Sequence, residues 1–217
     1  MLRGIVFDMD GVIIDSHPIH RQAWRTFLQS EGREVADAEL DFILDGRKRE
    51  EILCFFLGEL TPSQIAHYGA RKDEMLRRLA EHMRPIRGVV EFLESLSQAG
   101  IRMALATSAS YPRAHGTLKE LNLAGYFDAV VTGDEVATSK PDPAIYRLVA
   151  ERIKEPPENL LAVEDAVSGV KSARAAGMRC LGIASAERAR QLRTAGADQV
   201  IPDFDSFSLE RLKASFR

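Results

Sequence analysis

The chain has 217 residues, of which 28% are charged and 45% hydrophobic, with a formal net charge of -3. That length holds one domain or two small ones with a substantial core, and the charge balance lacks the basic footprint expected for nucleic acid or an anionic membrane. Two cysteines, Cys54 and Cys180, stand apart without metal-ligand spacing, so neither a disulfide framework nor a zinc site is indicated, and no apolar stretch has signal or membrane-spanning length.

The first element is the most informative. An apolar run, Ile5 to Phe7, ends abruptly in Asp8 and Asp10, followed by Gly11 and, after three more apolar residues, by Asp15 and Ser16. This reads as a buried strand delivering carboxylates to a turn. If the strand continued, its rise of about 3.3 Å per residue would keep Asp8 and Asp10 apart. Both acids therefore share one site if the chain leaves regular geometry near Met9, which Gly11 permits. Two like charges crowded there demand a compensating cation or a shared proton. A plain acidic surface turn is the ordinary alternative. A calcium loop is disfavoured because Val12, Ile13 and Ile14 occupy positions where further oxygen ligands would be needed.

From residue 16 to about 85 no strand-like run appears and amphipathic helical stripes dominate. Ala23, Trp24, Phe27 and Leu28 form one apolar face, Ile52, Leu53, Phe56 and Leu57 a second, and Ile65, Met75, Leu76 and Leu79 point to others. These stripes are read as core packing, not as a cofactor box. Further apolar runs follow at 103–106, 129–131, 160–163, 180–183 and 199–201, alternating with helical segments. One of these helices carries Val89, Val90, Phe92, Leu93 and Leu96 and stops at Gly100; another spans 167–176 and stops at Gly177. The expectation is an α/β fold with a doubly wound, Rossmann-like parallel sheet over 1–15 and 86–217, and an inserted α-helical cap over 16–85. The connectors near 15–17 and 84–88 would be hinges.

The acidic segment resembles the first signature of the haloacid dehalogenase-like phosphatases, Asp-x-Asp-Gly-x-x-x-Asp-Ser. Three more signatures follow in the expected order: Thr107 with Ser108, Lys140 before Pro141-Asp142-Pro143, and Glu164-Asp165. The resemblance spans nearly the whole chain, and a helical insert after the first strand is similar to the cap of the subgroup that includes phosphoglycolate phosphatases and β-phosphoglucomutases. In a doubly wound sheet the carboxyl ends of the strands form the ligand crevice, so these residues would converge. The resemblance implies Asp8 as nucleophile, Asp10 as general acid and base, and Thr107 and Lys140 as partners of the phosphoryl group, with Ser108 at the substrate beside Thr107. Magnesium would be held by Asp8, Asp10 through its carbonyl, Asp165 and Glu164. Clustered carboxylates and a phosphate dianion cannot share a pocket without such a cation.

Each residue taken alone also has an ordinary reading. Asp10 could be a metal ligand only, Glu164-Asp165 a helix N-terminal pair, Lys140 a solvated lysine, and Thr107-Ser108 a helix cap. In the cap, Arg49 resembles the arginine with which β-phosphoglucomutases grip a second phosphate, and His20 and Lys72 fall at substrate-side positions. A solvated Arg-Lys-Arg run or a core histidine are the alternatives there. Asp45 replaces a basic residue of the mutases, and the loop after Thr107 lacks their Lys-Asn pair.

Hydrolysis of a small phosphomonoester, a sugar phosphate, through an aspartyl phosphate is therefore preferred over a phosphosugar mutase. A phospho-aspartate switch lacks a reason for the lid and for Asp10, and a dehalogenase needs no second acid. The expected partner is a small phosphorylated metabolite, with no nucleic acid or membrane. The expected setting is cytoplasmic, and a monomer is compatible with the sequence.

Overall fold

A computed structural model of the chain describes residues 2–79, 83–205 and 207–216. Among these, six strands make one parallel sheet: β1 (Gly4–Phe7), β2 (Arg102–Ala106), β3 (Ala129–Val131), β4 (Leu160–Glu164), β5 (Arg179–Ile183) and β6 (Gln199–Ile201). Their order is β3-β2-β1-β4-β5-β6. β1 lies between β2 and β4, with Phe7 level with Leu105 on one side and Val163 on the other. All six apolar runs identified in the sequence are strands, lengthened by a residue at one end in four cases.

The sheet is buried on both faces, and its residues alternate between two hydrophobic clusters as the two-residue period requires. Ile5, Phe7, Met103, Leu105, Leu161 and Val163 pack toward α5 (Val89–Gln98), α6 (Tyr111–Glu120) and α10 (Leu209–Ser215). Val6, Ala104, Ala106, Leu160 and Ala162 pack toward α7 (Ala144–Arg152), α8 (Val167–Ala175) and α9 (Ala186–Ala195). Helix α5 buries Val89, Phe92, Leu93 and Leu96 as one stripe, and Gly100 follows it at φ 66°, the left-handed conformation that ends a helix without a Cβ penalty.

Among the described residues four α-helices lie between β1 and α5: α1 (His17–Ser30), α2 (Asp37–Ile43), α3 (Arg49–Leu57) and α4 (Pro62–Leu79). The α2 helix was not singled out in the sequence, and the apolar residues 65–79 belong to the single helix α4. Trp24, Phe27, Leu28, Leu40, Ile43, Ile52, Leu53 and Phe56 form a cluster separate from the sheet's. Trp24 and Phe27 meet edge to face at 5.8 Å. The module is not sealed off, however: Ile19, Ala23 and Leu76 pack into the sheet-side cluster instead. Its two connecting segments run side by side, Asp15 N–H donating to Arg84 O (2.8 Å) and Ile86 N–H to Ile13 O (2.9 Å).

Candidate active site

Asp8 extends the ladder by one residue, its N–H donating to Val163 O at 2.9 Å. The chain then curls. Met9 O accepts from the N–H groups of both Ile13 and Ile14 (2.9 and 3.0 Å), Gly11 N–H donates to Ile14 O, and Val12, Ile13 and Ile14 are fully buried beneath the turn. The departure from strand geometry after Asp8 brings Asp8 and Asp10 to the same pocket, a cavity of about 390 Å³ roofed by the helices that follow β1. Gly11 sits at φ 76°, and a Cβ there would run into the Asp165 carboxylate and the His17 ring.

The floor of the pocket is acidic. Lys140, almost wholly buried, donates to Asp8 Oδ1 and Glu164 Oε1, each at 2.6 Å, and to Ala106 O at 3.2 Å. Tyr146 on α7 donates to the same Glu164 oxygen at 2.5 Å. Carboxylate oxygens of Asp8, Glu164 and Asp165 lie within 4.8 Å of one another, all buried. One ammonium is thus bonded to two of the three carboxylates, and the third faces His17. The consequence appears in Asp8: burial pushes its pKa well above the ordinary carboxylate range, with Glu164 and Asp165 adding to the push against the pull of Lys140.

Two buried oxygens there, Glu164 Oε2 and Asp165 Oδ2, receive no hydrogen bond among the described residues, although His17 Nε2 lies 3.0 Å from the latter. Burial opposes protonation of His17, but Asp165 outweighs it and raises its pKa. Space for the Glu164 carboxylate exists because residue 169 is glycine; a Cβ there would overlap it. An all-oxygen, over-charged set with unsatisfied lone pairs fits a hard divalent cation such as magnesium.

Thr107 follows β2, its N–H held by Val131 O and its Oγ1 accepting from Ala109 N–H at 3.1 Å, which leaves the hydroxyl proton free to point elsewhere. Ser108, expected at the substrate, donates instead to Gly46 O at 2.6 Å in the loop before α3. Other bonds join the same loop to the sheet domain. Asp45 accepts from Ser168 N–H at 3.1 Å, capping α8, whose own N-cap residue is Ala166 and has no side-chain acceptor. Lys48 reaches Val136 O and Ala137 O, and Ser139 pairs with Glu51.

The far wall is cationic. Ser16 Oγ donates to Asp10 Oδ1 at 2.6 Å, His20 Nε2 lies 3.3 Å from the same atom, and Arg113 on α6 grips both Asp10 oxygens. Burial alone would raise the Asp10 pKa, but Arg113 and His20 hold it well below the usual range. His20 itself falls to about 4 through burial and the nearby Lys72 ammonium, so it is uncharged at neutral pH. Lys72 is buried over the Trp24 ring, 5.2 Å from its centroid, and Arg49 pairs with Asp73.

The structure thus gathers Asp8, Asp10, His20, Arg49, Lys72, Thr107, Ser108, Glu164 and Asp165 around one pocket, with Lys140 bonded beneath. Sequence reasoning missed Arg113, His17 and Tyr146. A signal for Arg113 existed, since Ser110-Tyr111-Pro112 marks a helix start and places residue 113 in the first turn, next to the loop that carries Thr107.

The family model for haloacid dehalogenase-like hydrolase matches residues 2–177. A phosphorylated carbohydrates phosphatase of Thermotoga maritima is 34% identical over 90% of this chain and 92% of its own length. The fructose-1-phosphate phosphatase YqaB of Escherichia coli is 35% identical over 83% of this chain and 95% of its own. Among solved structures, CbbY from Rhodobacter sphaeroides in complex with phosphate superposes with a TM-score of 0.85 at 28% identity, covering 98% of this chain and all of that one. With these matches, and with four motif residues converging at the ends of adjacent parallel strands, the chain belongs to the haloacid dehalogenase-like hydrolase family.

Proposed function

We propose that this protein is a magnesium-dependent phosphatase of small phosphorylated carbohydrates, with Asp8 as the nucleophile. The observation that carries this reading is the Asp8 carboxylate at the tip of β1, buried against Lys140 in a cluster of acids under a metabolite-sized pocket. The carbohydrate phosphatases to which the chain is similar support the substrate class.

Asp8 attacks phosphorus in line, its oxygen forming the new P–O bond as the bond to the sugar oxygen breaks, with Asp10 supplying that oxygen's proton. Water then attacks the aspartyl phosphate, Asp10 takes its proton, and Asp8 and inorganic phosphate are released. In the arrangement seen, Ser16 and Arg113 both donate to Asp10, which is the pose of a base. Lys140 holds Asp8 in place and Thr107 has a hydroxyl proton to offer a phosphoryl oxygen. Asp8, Asp165, the Asp10 carbonyl and Glu164 through its free oxygen would hold magnesium, which supplies charge neutralisation of the transferring phosphoryl group.

Residues 16–85 serve as a lid hinged at the paired connectors, and the Asp45–Ser168 and Ser108–Gly46 bonds correspond to its closed position. Hydrolysis is favoured over mutase chemistry because the loop after Thr107, Ser108 to Pro112, lacks the Lys-Asn pair with which the mutases orient a phosphosugar. The free cysteines Cys54 and Cys180 suit a reducing cytoplasm.

The test is a panel of phosphorylated sugars, including β-glucose 1-phosphate, with free phosphate and glucose 6-phosphate both quantified, in magnesium and in EDTA. Magnesium-dependent phosphate release supports the reading. Accumulation of glucose 6-phosphate with little free phosphate would replace it with the mutase, and no turnover on any ester would reject it.

A further inference from the structure

Three cations meet beside Asp10, each carried by a different helix: Arg113 in the first turn of α6, Lys72 in α4 and Arg49 at the start of α3. Arg113 is 16% exposed and bonds to both Asp10 oxygens, from Nη1 to Oδ1 at 3.1 Å and from Nη2 to Oδ2. Lys72 is 5% exposed and its nearest carboxylate is Asp73, 3.8 Å away. Arg49 takes the other oxygen of that same Asp73. Two carboxylates therefore serve three cations, and one of the two, Asp10, is needed at the ester oxygen during the reaction. The mutual repulsion shows in Lys72, whose pKa burial and then Arg113 depress to about 8. Such a wall is short of one anion.

Its distance from the chemistry follows from the hydrogen bonds. To exchange a proton, the Asp10 carboxylate touches the ester oxygen, and Arg113 touches the same carboxylate. Two hydrogen bonds in series span about 6 Å. An acid group on the carbon next to the phosphorylated one, or one carbon further, lies within that span.

We propose that Arg113, with Lys72 beside it, is a specificity-determining subsite for an anionic group on the leaving alcohol, a carboxylate or a second phosphate close to the scissile ester. This rests on the phosphatase reading above. The substrate's anion replaces Asp10 as the partner of the guanidinium fork, and Asp10, still held by Ser16, is released to serve the ester oxygen. An ester whose alcohol carries no charge leaves Arg113 on Asp10 and is processed more slowly. The residue is selective because planar, two-bond recognition of an anion is what arginine does and lysine does not.

The experiment uses matched esters: 3-phosphoglycerate against glycerol 3-phosphate for a carboxylate, and 1,3-propanediol bisphosphate against its monophosphate for a second phosphate. The wild-type protein should prefer the charged member of at least one pair by about tenfold in kcat/KM, and that pair names the anion. Arg113→Ala should bring the ratio close to one, and Arg113→Lys should keep part of it. Equal treatment of both pairs by the wild type, or a ratio unchanged in Arg113→Ala, overturns the subsite; if sugar phosphates are still hydrolysed, the phosphatase reading survives. Should no ester be hydrolysed at all, calorimetric binding of the same four compounds to Asp8→Asn with and without Arg113→Ala decides the subsite separately. Tighter binding of a charged member that needs Arg113 supports it, and its absence overturns it.

Discussion

The floor and the far wall of the pocket are unbalanced in opposite directions. On the floor three buried carboxylates, Asp8, Glu164 and Asp165, crowd together; the ammonium of Lys140 is bonded to the first two, and Asp165 faces the His17 ring. On the wall three cations, Arg113, Lys72 and Arg49, share Asp10 and Asp73. The two halves feel each other, Asp8 helping to keep Arg113 protonated and Asp10 adding to the push on Asp8, but no ion pair joins them among the described residues. Under the proposed function, the difference says what each half would receive: a divalent cation below and an anionic, phosphorylated molecule between. Burying unpaired charge is costly, so a folded protein keeps such excess where a ligand supplies the remainder.

The most severe way to break the floor is Asp8→Asn. It removes the nucleophile while keeping the shape, and phosphate release should fall by about 10,000-fold or more. Circular dichroism should show an intact fold, and normal turnover in this variant would reject Asp8 as nucleophile.

Lys140→Met removes the ammonium bonded to Asp8 and Glu164 and leaves both carboxylates buried without a cation, Glu164 keeping only Tyr146. Urea melts in EDTA should lose about 3–5 kcal/mol, and magnesium should restore part of that loss. If the loss is the same in EDTA and in magnesium, the floor is not a cation site.

The wall responds with the opposite sign. Lys72 has a folded pKa depressed from 10.5 to about 8 by burial and then by Arg113, so the unfolded chain binds its proton more tightly. Burial of this ammonium therefore costs stability below pH 8, and the cost fades as pH rises from about 8 to about 10.5. Lys72→Met should be more stable than the wild type at pH 7 by about 1–3 kcal/mol, with the two converging near pH 10.5 in thermal melts. A variant less stable at pH 7 would show that Trp24 and Asp73 already satisfy the lysine.

The smallest effect sharpens the link between the two halves. Asp45 caps α8 across the gap through Ser168, and Asp45→Ala should cost about 1 kcal/mol of stability. Proteolysis of residues 16–85 should become faster in that variant. Unchanged proteolysis would mean that the bond contributes a cap and nothing to closure.

Much of the architecture was readable in one dimension. The alternation of short apolar runs with helical stripes located all six strands, and the acids at 8, 10, 164 and 165 were placed at strand ends because polar residues abruptly terminate apolar runs there. Ser108 and Asp45 show the limit of that reading. Ser108, expected at the substrate, lines the pocket while its hydroxyl also bonds to Gly46, a contact the sequence does not reveal, and Asp45, noted as a missing cation, caps a helix 123 positions away.

Backbone periodicity, turn chemistry and motif order are local, so the chain by itself determined the strands, the parallel sheet and the place of the Asp8 carboxylate at the tip of the first strand. Which charges meet is a matter of distance through space. The grip of Arg113 on Asp10 across 103 positions, the bond from Tyr146 to Glu164 and the burial of Lys72 over Trp24 come from packing α6, α7 and α4 against their neighbours. Only the tertiary structure decided them, since a Coulomb or hydrogen-bond energy depends on separation and burial and leaves no period in the sequence.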